Sequence, residues 1–160
     1  VVCGLRAHAS RRAFVVGIGA VSLLWVLAGA GANAAMLVDG STYTGFADGS
    51  PIPFVTDTWE SLVVPHHHVF IGALIAGEAL AGLLVLVPGR PREVALLALV
   101  AFDATLVVFG WWFAVWAVPL VTALVLLYRA ERVTPLRRPP SSDASWEPRH
   151  RRPRSRVPSP

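Results

Sequence analysis

No lysine occurs among the 160 residues; all fourteen basic side chains are arginine. A single cysteine, Cys3, excludes an internal disulfide framework and any cysteine-held zinc or iron–sulfur cluster. Charge is scarce: 15% of residues are charged against 54% hydrophobic, and the mean hydropathy is +0.57. A soluble domain carries about 25% charged residues. No dinucleotide fingerprint, P-loop, metalloprotease helix or thiol pair is present, so most enzyme classes lack their usual parts. No catalytic residue is identified, and the balance favours a non-enzyme. What remains is the composition of a small integral membrane protein.

A spanning helix needs roughly 20 mostly apolar residues to cross about 30 Å of hydrocarbon. Residues 13–38 qualify, broken only by small residues and Asn33, and residues 69–87 qualify with the single charge of Glu78. Residues 94–128 form a longer run holding one charge, Asp103. As one helix that run would measure about 52 Å, too long for the bilayer. Gly110-Trp111-Trp112 is the natural corner, because glycine breaks helices and tryptophan prefers the headgroup level. The expectation is an all-α four-helix transmembrane bundle, with spans near 13–38, 69–88, 94–110 and 112–128.

The charge map supports an even count. Residues 1–12, the 88–93 connection and residues 129–160 carry +3, +1 and +6, whereas 39–68 carry −4 and no arginine. Positive-inside then predicts a multi-pass protein of the cell membrane with both termini cytoplasmic and the acidic loop outside. Ser10-Arg11-Arg12-Ala13-Phe14 resembles a twin-arginine export signal, and Ala32-Asn33-Ala34 has the small-x-small form of a cleavage site. The apolar run before that site is about 19 residues, longer than the 7–15 of a signal core, which favours a retained anchor.

In the outer loop, residues 39–50 are rich in turn formers and read as irregular chain. Asp57 and Glu60 have the spacing of a capping box, which predicts a short interfacial helix over 58–64 that Pro65 ends. His66-His67-His68 follows. Neighbours on a helix point about 100° apart, so a metal site would need two of these histidines plus a carboxylate such as Asp57 or Glu60. The simpler reading is a polar helix start.

Residues 129–160 hold seven Pro and nine Arg but few apolar residues, which predicts a disordered tail. Arg137, Arg138, Arg149, Arg151 and Arg152 are its candidate contacts to anionic lipids, each worth on the order of 1 kcal/mol. Nucleic acid is the less favoured partner for a tail tethered to a bilayer. A homo-oligomer is left open.

The chemistry-bearing residues are Glu78 and Asp103, each the tenth residue of its apolar run and so near mid-membrane. With no Lys, Arg or His inside the spans, at least one carboxyl should be protonated at neutral pH. The two spans are consecutive and antiparallel, so the carboxyls can meet and share a proton. A neutral carboxyl there can donate to a quinone carbonyl or join a proton relay. Ala73, Gly77 and Ala81 recur every four residues and let a neighbouring helix approach, and Gly82 leaves room beside the carboxyl.

Residues 77–86 (GEALAGLLVL), followed by Gly89-Arg90, resemble the DoxX-like family of small four-helix membrane proteins. The span count and the Pro- and Trp-containing first connection are also similar; residues 29–33 depart from the pattern in holding no basic residue. The resemblance implies a four-helix bundle associated in some relatives with quinone-linked oxidation or membrane redox complexes, with Glu78 as the position carried over. The leading functional expectation is an accessory subunit of a membrane redox complex that contacts quinone near Glu78. The alternatives are a proton-coupled small-solute transporter or permeability protein using Glu78 and Asp103, and a non-enzymatic scaffold.

Overall fold

A computed structural model describes Val2 and residues 10–133, and the tail arginines from Arg137 onward lie outside the described residues. The described residues form helices and connecting turns, with no strand among them. Four long helices follow one another: α1 (Arg11–Val38), α2 (Pro53–Leu84), α3 (Arg90–Leu106) and α4 (Trp111–Val133). By length and composition α1, α2 and α4 can each cross a membrane.

α1 starts at the Ser10 cap and changes pitch in the middle, where Leu24–Gly31 forms wide turns with π-type hydrogen bonding. Ala28-Gly29-Ala30-Gly31 supplies the small side chains that tolerate such widening. The buried stripe follows the pitch, running Ile18, Val21 and Trp25 and then stepping five residues to Ala30. Wide turns of this kind re-aim one face of a helix, and they recur at functional sites.

The outer segment differs from the sequence expectation in two ways. The helix begins at Pro53 rather than at 58, because proline at the first position already holds helical φ and lacks only an N–H that would be unpaired there. Pro65 does not end it: a wide turn (Trp59–Val63) and a tight 3₁₀ turn (Val64–His66) absorb the missing donor, and the chain continues into His67–Leu84. Glu60 closes no capping box with Asp57; its carboxylate accepts the Gly45 N–H at 2.9 Å and ties the 39–52 loop to α2.

After α3, one 3₁₀ turn (Val107–Phe109) leads to Gly110, whose φ of 149° suits glycine. A side chain there would also strike the loop, since a Cβ at Gly110 would stand 3.0 Å from the Gly49 carbonyl oxygen. The loop is thereby seated on the α3–α4 corner, and Ser50 Oγ donates to the Val108 carbonyl at 2.7 Å.

α1 packs along α2, and α3 along α4, more extensively than α2 packs on α3. The close-packed core gathers Ile18, Val21 and Trp25 of α1, Val85, Leu96 and Leu99, and Leu124 and Leu127 of α4. It runs from mid-bundle, at Trp25 and Leu99, toward the end that carries the Gly89 turn.

That end is locked by Arg92, which is buried. Its Nε donates to the Val85 carbonyl at 2.7 Å, Nη2 to the Leu86 carbonyl at 3.1 Å, and Nη1 to Glu131 at 2.9 Å. The Glu131 carboxylate also accepts the Gly89 N–H. Of the tail expected to be disordered from residue 129, residues 129–133 are helical, and residues 134–160 lie outside the described residues. α4 continues to Val133, with Ala130 in the core and Glu131 in this clamp, and the first tail proline comes only at Pro135.

Candidate functional site

At the opposite end the helices splay around a cavity of about 340 Å³. Seven of its thirteen lining residues are aromatic, drawn from all three later helices and the 39–52 loop. Phe46 of the loop stacks on Trp59 of α2 with centroids 4.9 Å apart, and stands 5.2 Å from Phe109 and 5.5 Å from Phe113. The polar side chains in the wall are Glu78, Asn33 and Tyr43.

These three form one chain of hydrogen bonds. Tyr43 Oη donates to the Asn33 backbone carbonyl at 3.0 Å and lies 3.3 Å from Asn33 Oδ1. Asn33 Nδ2 donates to Glu78 Oε2 at 3.0 Å. Tyr43 adopts φ 60°, the left-handed region that costs a side-chain-bearing residue on the order of 1–3 kcal/mol. The bond to Asn33 and a second, from Trp59 Nε1 to the Tyr43 carbonyl at 2.9 Å, hold it there. Burial first, and the neighbouring Glu78 carboxyl second, raise the Tyr43 phenol above its ordinary range, so it remains a donor.

Glu78 is only 6% exposed. α1 reaches it through Gly29, where a Cβ would stand 3.2 Å from the carboxyl carbon. A second cavity of about 220 Å³, lined by Trp25, Gly77, Ala81, Ala98 and Leu99 among others, shares Glu78, Leu74 and Phe102 with the first. Glu78 therefore belongs to the wall of both cavities. No Arg or His lines either one.

Asp103 is 3% exposed, lines neither cavity and makes no hydrogen bond to Glu78; its Oδ2 has no hydrogen-bond partner among the described residues. Glu78 takes the Asn33 amide in place of a second carboxyl. His66, His67 and His68 start the regular part of α2. His66 Nδ1 pairs with the Leu62 carbonyl, His67 Nδ1 with the Val64 carbonyl, and the His67 and His68 rings lie 4.2 Å apart. Among the described residues no group of three or more His, Cys, Asp or Glu side chains is placed to hold a metal ion.

The small residues of α2 divide differently from the sequence reading. A Cβ at Gly77 would meet nothing within 4 Å, whereas one at Gly82 would stand 2.8 Å from Val26 Cγ2 and 3.3 Å from the Ser22 carbonyl oxygen. Gly82 thus admits α1, and the room beside the carboxyl comes from Gly29.

Sequence reasoning missed Asn33 and Tyr43 as partners of Glu78, and the aromatic wall with them. An isolated amide in an otherwise apolar span was the available signal, since such side chains seek interhelical hydrogen bonds. The chain matches no protein-family model, no curated protein and no solved structure.

Proposed function

We propose that the protein is a four-span membrane protein that couples proton movement at Glu78 to the passage of a small solute. For the membrane reading, the support is three qualifying helices together with a surface that exposes many Leu, Val and Trp side chains. From Val94, α3 and its 3₁₀ extension together reach about 25 Å, most of the roughly 30 Å hydrocarbon layer. An even number of spans agrees with the arginine-rich termini and the acidic 39–68 connection, and with the positive-inside rule the aromatic cavity would face outward.

The single observation that carries the coupling is the position of Glu78 in the wall of both cavities, with no basic side chain lining either. A carboxyl so placed exchanges its proton with whatever enters from one side or the other, the usual task of an ionisable group at mid-membrane. Reconstituted vesicles test it. A proton-linked solute flux that disappears in Glu78→Gln is the expected outcome, and flux no greater than in empty vesicles overturns the reading.

A second reading, an accessory subunit of a membrane redox complex holding a quinone head, draws on the row Tyr43–Asn33–Glu78 beside flat aromatic walls. A protonated Glu78 would donate to the quinone carbonyl. Purification in gentle detergent, read by absorbance and mass spectrometry, separates the two: bound quinone or a co-purifying oxidoreductase favours this reading over the first.

A further inference from the structure

We infer that the occupant of the larger cavity is a small organic cation of ammonium type with an apolar body, which takes the place of the proton on Glu78. The inference rests on the coupled-transport reading and names its substrate class.

Charge comes first. Glu78 receives one hydrogen bond, from Asn33, and faces no basic side chain across either cavity. An ionised carboxylate in that setting lacks a counter-charge, so the site is complete only with a proton or with a cation brought by the ligand. An anionic ligand would add a second uncompensated charge and is excluded.

The walls point the same way. Seven aromatic residues share the cavity wall with Glu78, and an ammonium within about 6 Å of a ring centroid is drawn to its π-electrons. Most hydrogen-bond donors of this cavity are already engaged: Tyr43 Oη and one of the two Asn33 Nδ2 hydrogens within the polar row, and Trp59 Nε1 on the Tyr43 carbonyl. A neutral carbonyl ligand would have to compete for the Glu78 proton and the second Asn33 N–H, whereas a quaternary ammonium needs no donor. At about 340 Å³ the space sits at the small end of ligand cavities, which run roughly 300–1,000 Å³, so a one-ring cation fits.

The exchange balances as written: the protonated Glu78 plus the cation gives the carboxylate–cation pair plus one proton released to water. From the other elements, α1 presents Gly29 and Asn33 to the carboxyl, the loop presents Tyr43, and α3 and α4 present Phe102 and Phe113 to the cavity. Tyr43 is the one other titratable residue in the cavity wall, and Asp103 lines neither cavity.

The test uses the purified full chain in detergent and two probes of one shape, benzyltrimethylammonium and its neutral carbon isostere neopentylbenzene, followed by calorimetry and by pH in weak buffer. The expected result is preferential binding of the cation, release of about one proton per cation bound, and affinity rising about tenfold per pH unit while Glu78 is protonated. Glu78→Gln should bind the cation no better than the neutral probe. Equal binding of both probes to the native chain, binding without proton release, or no binding of either overturns the inference, and the first arm needs no variant. Proton-linked vesicle flux of another solute, with no cation binding, would sink this inference and keep the transport reading. Cation binding with proton release but no flux would do the reverse.

Discussion

Gly29 of α1 and Glu78 of α2 meet so closely that a Cβ on Gly29 would stand 3.2 Å from both the carboxyl carbon and Oε1 of Glu78. The wide turns of Leu24–Gly31 bring this bare stretch of backbone against the carboxyl, and Asn33, one turn further along α1, binds its other oxygen at 3.0 Å. Glu78 is thus gripped by one helix on two sides. Its remaining freedom lies toward the cavities.

Gly29→Val tests that grip. Valine in a helix holds one χ1 rotamer and cannot turn its methyl groups away, so the carboxyl must yield. The expected outcome is loss of the Asn33–Glu78 bond and about tenfold weaker ligand binding, equivalent to about 1.4 kcal/mol. Helix content by circular dichroism should stay at the native level. Ligand affinity is read on the same sample, and unchanged affinity would refute a positioning role for Gly29.

Arg92 and Glu131 are a separate unit, whose side chains are only 11% and 12% exposed. Truncating Arg92→Met leaves the Val85 and Leu86 carbonyls and the Glu131 carboxylate without their donor. Breaking such a pair from one side costs about 3–5 kcal/mol. Glu131→Gln keeps a side-chain acceptor for Gly89 and should cost less. A double-mutant cycle by denaturant unfolding in detergent is expected to give a coupling of about 1–3 kcal/mol; additive losses would show that the two residues act independently.

The helical architecture was legible because long apolar runs announce themselves by length, and because a 35-residue run such as 94–128 cannot cross a bilayer as one helix. Which faces meet was not. A helix whose outer surface is as apolar as its inner one gives no periodic signal, so nothing in α1 or α2 tells the buried side from the exposed one. Asn33 lies 45 residues from Glu78, and their pairing depends on wide turns that no local rule predicts. Pro65 and Glu60 show the opposite failure. Each carries a strong local signal, helix stop and capping box, but the Glu60 carboxylate accepts the Gly45 N–H of the loop instead, and the 3₁₀ turn Val64–His66 carries the chain past Pro65. Glu131 was hidden among the charges of the tail because its partner, Arg92, sits 39 residues away.

Asp103 carries the last prediction. It was singled out beside Glu78 because both occupy mid-span, yet it lines neither cavity and its Oδ2 finds no partner among the described residues. A buried polar atom left unpaired costs about 1–3 kcal/mol, which an apolar side chain of similar size does not incur. Asp103→Leu should therefore be neutral or stabilising, raising the thermal midpoint in detergent, and the proton released on ligand binding should be unaltered. A destabilised variant would mean that the carboxyl has a partner it needs. A stable variant with altered proton release would place Asp103 in the relay with Glu78, although no hydrogen bond joins the two carboxyls. Melting and proton release measured on one preparation separate these outcomes, because the first reads the packing of α3 and the second reads only the titration linked to the cavity.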